Sequence, residues 1–208
     1  MEITRVLILD TKAILPVHSN NAVSCHRLCL DDLHTLAHEN DFQISSSFVD
    51  DFYRFGFVGV AAMIDRHVVG LLFLVSDTVA ARHNCGGSPF RGIGLDLPEG
   101  VHYLFKVEVA ARSRGMHVSA AMLTYAVQQL EDSSPCFVVT TTDWTNRAFL
   151  KSVERLGFRC CGFASEFIVA GRHFYQLPKP IVAETVDASS DRSASSIDES
   201  RAIRFSAE

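Results

Sequence analysis

At 208 residues and 48% hydrophobic content the chain can build one well-cored domain, which at this size buries about 70% of the surface of the unfolded chain. A formal charge of −5 with no Lys/Arg run argues against a nucleic-acid partner, and the longest apolar runs, 57–64 and 68–75, are too short to span a bilayer. The first residues lack a secretion signal and the six cysteines (25, 29, 85, 136, 160, 161) lack a framework spacing, so free thiols and a cytoplasmic location are expected.

Residues 4–9, Thr-Arg-Val-Leu-Ile-Leu, predict a strand or buried arm that ends near Pro16. Alternation over 25–30 gives way to Asp31 and Asp32, either of which can cap a helix running to Asn40. Phe48, Phe52 and Phe55 recur at helical spacing, so a second helix is expected over 47–55, with Gly56 as its stop. The β-rich runs 57–64 and 68–75 flank Asp65-Arg66-His67 and predict a hairpin with a three-residue turn.

Glycine and proline crowd 80–100, which reads as a long functional loop. A strand resumes over 101–109 and a turn follows at 112–115. Residues 116–131 then keep a helical period through Val118, Met122, Tyr125 and Leu130. A strand over 136–142 precedes a helix that Asp143 or Thr145 can cap, with Phe149, Leu150, Val153 and Leu156 on its apolar face and Gly157 at its end. Strands over 158–163 and 167–177 close the order, the second broken at Ala170-Gly171. The expected organisation is an arm at 1–21, a domain at 22–178 and a tail at 179–208. The Ser/Asp/Arg-rich tail has too few apolar residues to offset its ordering entropy and is expected to be disordered, so truncation after Leu177 or Pro178 should leave the core folded.

One segment carries chemistry. Arg112-Ser113-Arg114-Gly115-Met116-His117 lies between a strand and a helix. A glycine turn at a helix N-terminus presents backbone N–H groups and the positive end of the helix dipole, which suits a pyrophosphate, and Arg112 and Arg114 add charge. Taken alone, such a turn serves packing as often as binding.

Arg112 and Gly115, the strand and helix around them, and Asn146 followed by Gly157-Phe158 together resemble the GNAT superfamily of acyl-CoA N-acyltransferases. Its signature is Arg or Gln, two residues, Gly, one residue, then Gly or Ala. The resemblance covers 22–178 and is clearest over 101–163. It implies an α/β fold with a mixed, mostly antiparallel sheet of six to seven strands and about four helices. The fourth strand, third helix and fifth strand would form a parallel crossover over 101–142. The first two helices would wall a substrate cleft.

The activity implied is N-acetyl transfer from acetyl-CoA to a primary amine of a small molecule or peptide, by a monomer or homodimer with no membrane or nucleic-acid partner. The backbone of Val107 and Val109 would hold the pantetheine arm. Arg112, Ser113, Arg114, Gly115, Met116, His117 and Val118 would hold the pyrophosphate of coenzyme A, and Asn146 belongs to the second family element. Two rival readings are a non-catalytic acyl-CoA-binding domain and a transferase for a longer acyl-CoA. Departures from the pattern are His117, where the family keeps Gly or Ala, and Val153, where it often has a Tyr assigned to the leaving thiolate.

For the base that deprotonates the amine, the head of the fourth strand offers Glu99, His102 and Tyr103. His102 titrates near neutrality, Glu99 would act through water, and Tyr103 would enter the cleft if a strand bulge shifted the register by one residue. The spacing of Cys25, His26, Cys29, His34 and His38 is too open to imply a metal. Arg91-Gly92-Ile93-Gly94 imitates the signature without a following helix and reads as a substrate loop or lid.

Overall fold

A computed structural model describes residues 2–14, 23–38, 42–84, 93–130, 136–170, 172–179, 181–182 and 202–207. Pro16, Asn40, Cys85, Arg91, Gly92, Glu131 and Gly171, and the segment 183–201, lie outside the described residues. In chain order the elements are β1 (Glu2–Asp10), β2 (Ser24–Arg27), α1 (Leu30–His38), α2 (Ser46–Arg54), β3 (Val58–Ile64), β4 (His67–Val75), β5 (Thr78–Val79) and β6 (Ile93–Asp96). They continue as β7 (Val101–Val109), α3 (Val118–Gln128), β8 (Phe137–Asp143), α4 (Arg147–Arg155), β9 (Arg159–Val169), β10 (Arg172–Gln176), β11 (Ile181–Val182) and β12 (Ala202–Ala207). No helix among the described residues is long and apolar enough to cross a membrane.

The chain forms two compact units, one made of Met1–Ile14, Ser76–Tyr103 and Ser133–Glu208, the other of Leu15–Val75 and Leu104–Asp132. This division departs from the arm, domain and tail read from composition. Strand β7 begins in the first unit and continues in the second.

In the first unit the sheet order is β10-β9-β1-β8, with the start of β7 beside β8. β1 runs antiparallel to both β8 and β9. It is thus an inner strand rather than an arm, and Val6, Leu7, Ile8 and Leu9 are all at most 2% exposed. That two-sided burial explains the unbroken aliphatic run. β7 and β8 are the parallel pair, joined at their starts where Phe137 N donates to Gly100 O at 2.8 Å. β9 runs unbroken through 164–166, where the sequence had suggested an interruption, because β1 and β10 pair along it on either side. Its irregularity is a bulge opposite Val6 and Leu7, centred on Cys161, whose thiol burial pushes up to about 12.

A second sheet of order β11-β12-β6-β5 also belongs to the first unit. It corrects the expectation of a disordered tail at its far end. Ala202 and Ile203 are 7% and 0% exposed, and β12 pairs antiparallel with β6. A short apolar pair suffices there because the sheet edge of β6 supplies hydrogen-bond partners.

In the second unit the order is β7-β4-β3-β2. Phe73 in β4 meets Phe48 of α2 edge-on at 4.8 Å between ring centroids, whereas the α-carbon of Gly70, on the opposite face of the pleat, lies under Val118 and Met122 of α3. Helices therefore cover both faces, and every residue of β4 from Val69 to Val75 is buried. The hairpin between β3 and β4 is tighter than expected. Ile64 pairs with His67, leaving only Asp65 and Arg66 in the turn with φ of 49° and 67°, as a primed turn requires. At the start of α1, Asp31 and Asp32 sit in the first turn rather than at the cap, and Asp32 Oδ2 accepts from Cys29 N at 2.8 Å. Gly56 at φ 62° terminates α2, and Ser45 caps it by accepting from Phe48 N.

Candidate functional site

The residues of the 107–118 segment fall in the second unit. β7 is tied to β4 where Ala110 N donates to Val69 O at 2.9 Å, a single 3-10 turn covers Ala111–Ser113, and Gly115 then turns the chain at φ 83°. His117 precedes α3 at φ 59° and ψ 24° and makes no side-chain cap bond. Two left-handed residues in three positions swing the chain from the strand into the helix, so the N–H groups of the first turn of α3 point back along 113–117. Arg112, Arg114, Gly115 and His117 are exposed, Met116 is half-buried, and Ser113 and Val118 are buried. A Cβ placed on Gly115 would meet nothing within 4 Å, so the backbone is open on that side. That opening, with two cationic side chains beside it, fits a pyrophosphate.

The sequence reading passed over what holds this loop in place. A Cβ on Gly70 would stand 2.9 Å from Val118 Cγ1, 3.0 Å from Met122 Cε and 3.2 Å from Glu108 O. The bare glycine lets the N-terminal turn of α3 lie directly on the sheet. A lone glycine within the apolar run 68–75 was the available signal.

Lys106 shapes β7. It adopts φ 46° within β7, a bulge that breaks the pleat: Tyr103, Leu104 and Phe105 are buried in succession, and Val107, Glu108 and Val109 are all half-exposed. Its Nζ donates to Gln43 O and to Glu108 Oε1, each at 2.7 Å, and lies 5.4 Å from the centre of the Phe48 ring. The bulge places the backbone of Val107 and Val109 out of regular alternation, and the Lys106–Glu108 pair anchors it to the segment between α1 and α2.

The acid-base candidates and Asn146 fall in the first unit. His102 is half-buried. Burial lowers its pKa below the usual histidine range, against a smaller raising effect from Asp77. A neutral imidazole at neutral pH is the form that accepts a proton. Glu99 is exposed in the turn before β7, where Val101 N donates to Pro98 O at 3.1 Å and Gly100 sits at φ 79°. Tyr103 is corrected from acid-base candidate to anchor. It is 1% exposed, and its hydroxyl donates to Asn84 Oδ1 and meets Thr141 Oγ1, both at 2.6 Å, with Thr141 also bonded to Asn84. These bonds fasten β7, β8 and the 81–84 turn together. They also occupy the hydroxyl.

Asn146 is the N-cap of α4, accepting from Phe149 N at 3.3 Å and donating from Nδ2 to Thr142 Oγ1 at 3.3 Å. It takes the place expected for Asp143 or Thr145, because Asp143 is engaged in accepting from Thr145 N at 2.7 Å. Val153, where the family often has Tyr, is 3% exposed and packs in the core beside Leu150 and Leu156. No group of three or more His, Cys, Asp or Glu among the described residues is placed to hold a metal.

Solved structures similar to this chain include the following three. One is a Staphylococcus epidermidis protein of unknown function (TM-score 0.53, 10% identity, 78% of this chain and 59% of that one). Another is a Drosophila protein (TM-score 0.52, 11% identity, 78% and 48%). The third is a candidate acetyltransferase of the GNAT family from Novosphingobium aromaticivorans (TM-score 0.50, 12% identity, 78% and 61%). The chain therefore has the GNAT fold, which among the described residues is a mixed and mostly antiparallel α/β architecture with a parallel strand pair and four α-helices. The matched part spans about half to three-fifths of the length of these structures. No protein-family model and no curated protein matches the sequence.

Proposed function

We propose that the chain is an acyl-CoA-dependent N-acetyltransferase that moves an acetyl group from acetyl-CoA to a primary amine of a small molecule or peptide. The observation that carries this reading is the passage from β7 into α3. Gly115 at φ 83° and His117 at φ 59° aim the first turn of the helix at an exposed loop flanked by Arg112 and Arg114, on a GNAT fold. When bound, acetyl-CoA supplies an activated thioester.

This reading assigns roles to the chain's own residues. Backbone N–H groups at the start of α3, with Arg112 and Arg114, hold a pyrophosphate, and the backbone of Val107 and Val109 beyond the bulge pairs with the pantetheine arm. A backbone donor in that stretch polarises a carbonyl as an oxyanion donor does. His102 takes the ammonium proton of the amine at its neutral imidazole, or Glu99 does so through water. A base of this kind contributes roughly 10²- to 10⁴-fold, and positioning contributes more, so loss of one base slows turnover without abolishing it.

Val153 favours a second reading, in which the chain binds acyl-CoA without turning it over. Buried at 3% exposure in the position where the family often has a phenol, it leaves the leaving thiolate without that proton donor. A mass-spectrometric screen of amines and N-terminal peptides with acetyl-CoA separates the two. Acetylated product supports the transferase. Coenzyme A binding without product across the whole set supports the binding domain, and absence of both contradicts the assignment.

A further inference from the structure

A groove of about 400 Å³ in the first unit is lined by none of the residues assigned above. It is lined by Ile3 and Arg5 of β1, Phe163, Ser165 and Phe167 of β9, Gln176 of β10, and Trp144 just after β8. The register explains the surface. Arg5 pairs with Phe163, Ile3 with Ser165, and Ser165 with Gln176, so alternate residues of three adjacent strands share one face. Beyond Arg5 the same strand is buried on both sides, whereas here Phe163 and Trp144 are 54% and 50% exposed.

Two features separate this groove from an ordinary apolar face. The Nε of Arg5 is buried and has no hydrogen-bond acceptor among the described residues, and the guanidinium carbon lies 5.9 Å from the centre of the Phe163 ring. A buried guanidinium N–H without an acceptor is costly, and its planar fork matches a carboxylate. The aromatic side chains beside it offer flat apolar surface, which favours a ring in the occupant. Ser165 and Gln176 add neutral polar groups that orient it, and the volume is that of a small-molecule cleft.

We infer that this groove binds a small aromatic carboxylate, the carboxylate on Arg5 and the ring among Trp144, Phe163 and Phe167. Charge complementarity selects the acid over its neutral amide. The aromatic walls select an aryl ring over a bare inorganic anion.

Trp144 is the single tryptophan of the chain, so its emission reports on this groove alone. Full-length protein would be titrated with benzoate, phenylacetate, benzamide and inorganic phosphate up to about 10 mM, the weak end of small-ligand affinity. The expected result is a saturable change with the two acids and binding at least about tenfold weaker for benzamide, for phosphate, and for the acids with Arg5→Gln, because the charge-assisted bond is lost. Gln176→Ala, an exchange in the groove lining, supplies a second variant should Arg5→Gln fail to fold, and it is expected to weaken the acids about threefold. Equal affinity for acid and amide, or no saturable change with either acid, would overturn the inference. So would sedimentation showing that the wild-type chain self-associates through this face and that the Phe163→Glu variant is monomeric, since the occupant would then be a second copy.

Discussion

Val118, the first residue of α3, rests on Gly70 of β4 so closely that a Cβ on the glycine would stand 2.9 Å from Val118 Cγ1. Side chains could yield to such a group, but the carbonyl oxygen of Glu108 at 3.2 Å belongs to the backbone of β7 and cannot. Gly70→Val is therefore expected to cost about 1–3 kcal/mol by overpacking. It should also weaken coenzyme A binding, because the start of α3 must lift. Chemical denaturation and calorimetry check both, and a variant with wild-type stability and affinity would show that the contact positions nothing.

His117 stands at φ 59°, a region that penalises residues with a Cβ, although histidine is tolerated there more than most. His117→Gly removes that penalty and is expected to stabilise the fold by about 0.5–1 kcal/mol after the added freedom of the unfolded chain is counted. Gly115→Ala, at φ 83°, is expected to destabilise by about 1 kcal/mol for the same reason although space for the methyl is open. Melting temperatures of the two variants should move in opposite directions. If both fall, the left-handed turn is not the property that position 117 requires.

Burial holds the pKa of His102 below the usual histidine range, only partly offset by Asp77. As pH falls through about 6.5, the unfolded chain takes up this proton before the folded chain does, so stability is lost toward acid and regained above that value. Replacing His102 with Gln should flatten the stability profile between pH 5 and 7, measured by urea denaturation. It should also lower the rate of acetylation of a reactive amine and remove the acid limb of its pH–rate profile. A wild-type profile in the variant would place the base elsewhere.

Ile203 is 0% exposed in β12, which pairs with β6. Truncation after Pro178 therefore removes a buried aliphatic worth about 1.5–3 kcal/mol together with the strand pairing. The expected outcome is a lower melting temperature than that of the full chain. Unchanged melting would return the tail to the disordered state that its composition implies.

Sequence legibility tracked how local the cause was. Phenylalanine spacing, glycine stops and branched runs located α2, the β3–β4 hairpin, β7 and β8 within a few residues, because each is determined by neighbours in the chain. The loop at 112–117 was legible for the same reason. Long-range partners were not. β1 gave its apolar run but not its place between β8 and β9, and Tyr103 showed a titratable phenol but not the Asn84 and Thr141 that engage it. Gly70 showed as a lone glycine in an apolar run but not the helix it admits, and Lys106 matters through a bulge that no local pattern announces. The small β6–β12 sheet joins residues more than a hundred positions apart, and composition alone pointed the other way.

The central claim is tested most directly by titrating acetyl-CoA into the wild-type chain and into Gly115→Val and Arg112→Ala/Arg114→Ala, with melting temperature as the control for folding. The account predicts saturable binding to the wild type and a loss of at least about tenfold in each folded variant, from the altered backbone turn in one and the missing phosphate partners in the other. Affinity unchanged in both variants, or no binding to the wild type, would contradict it.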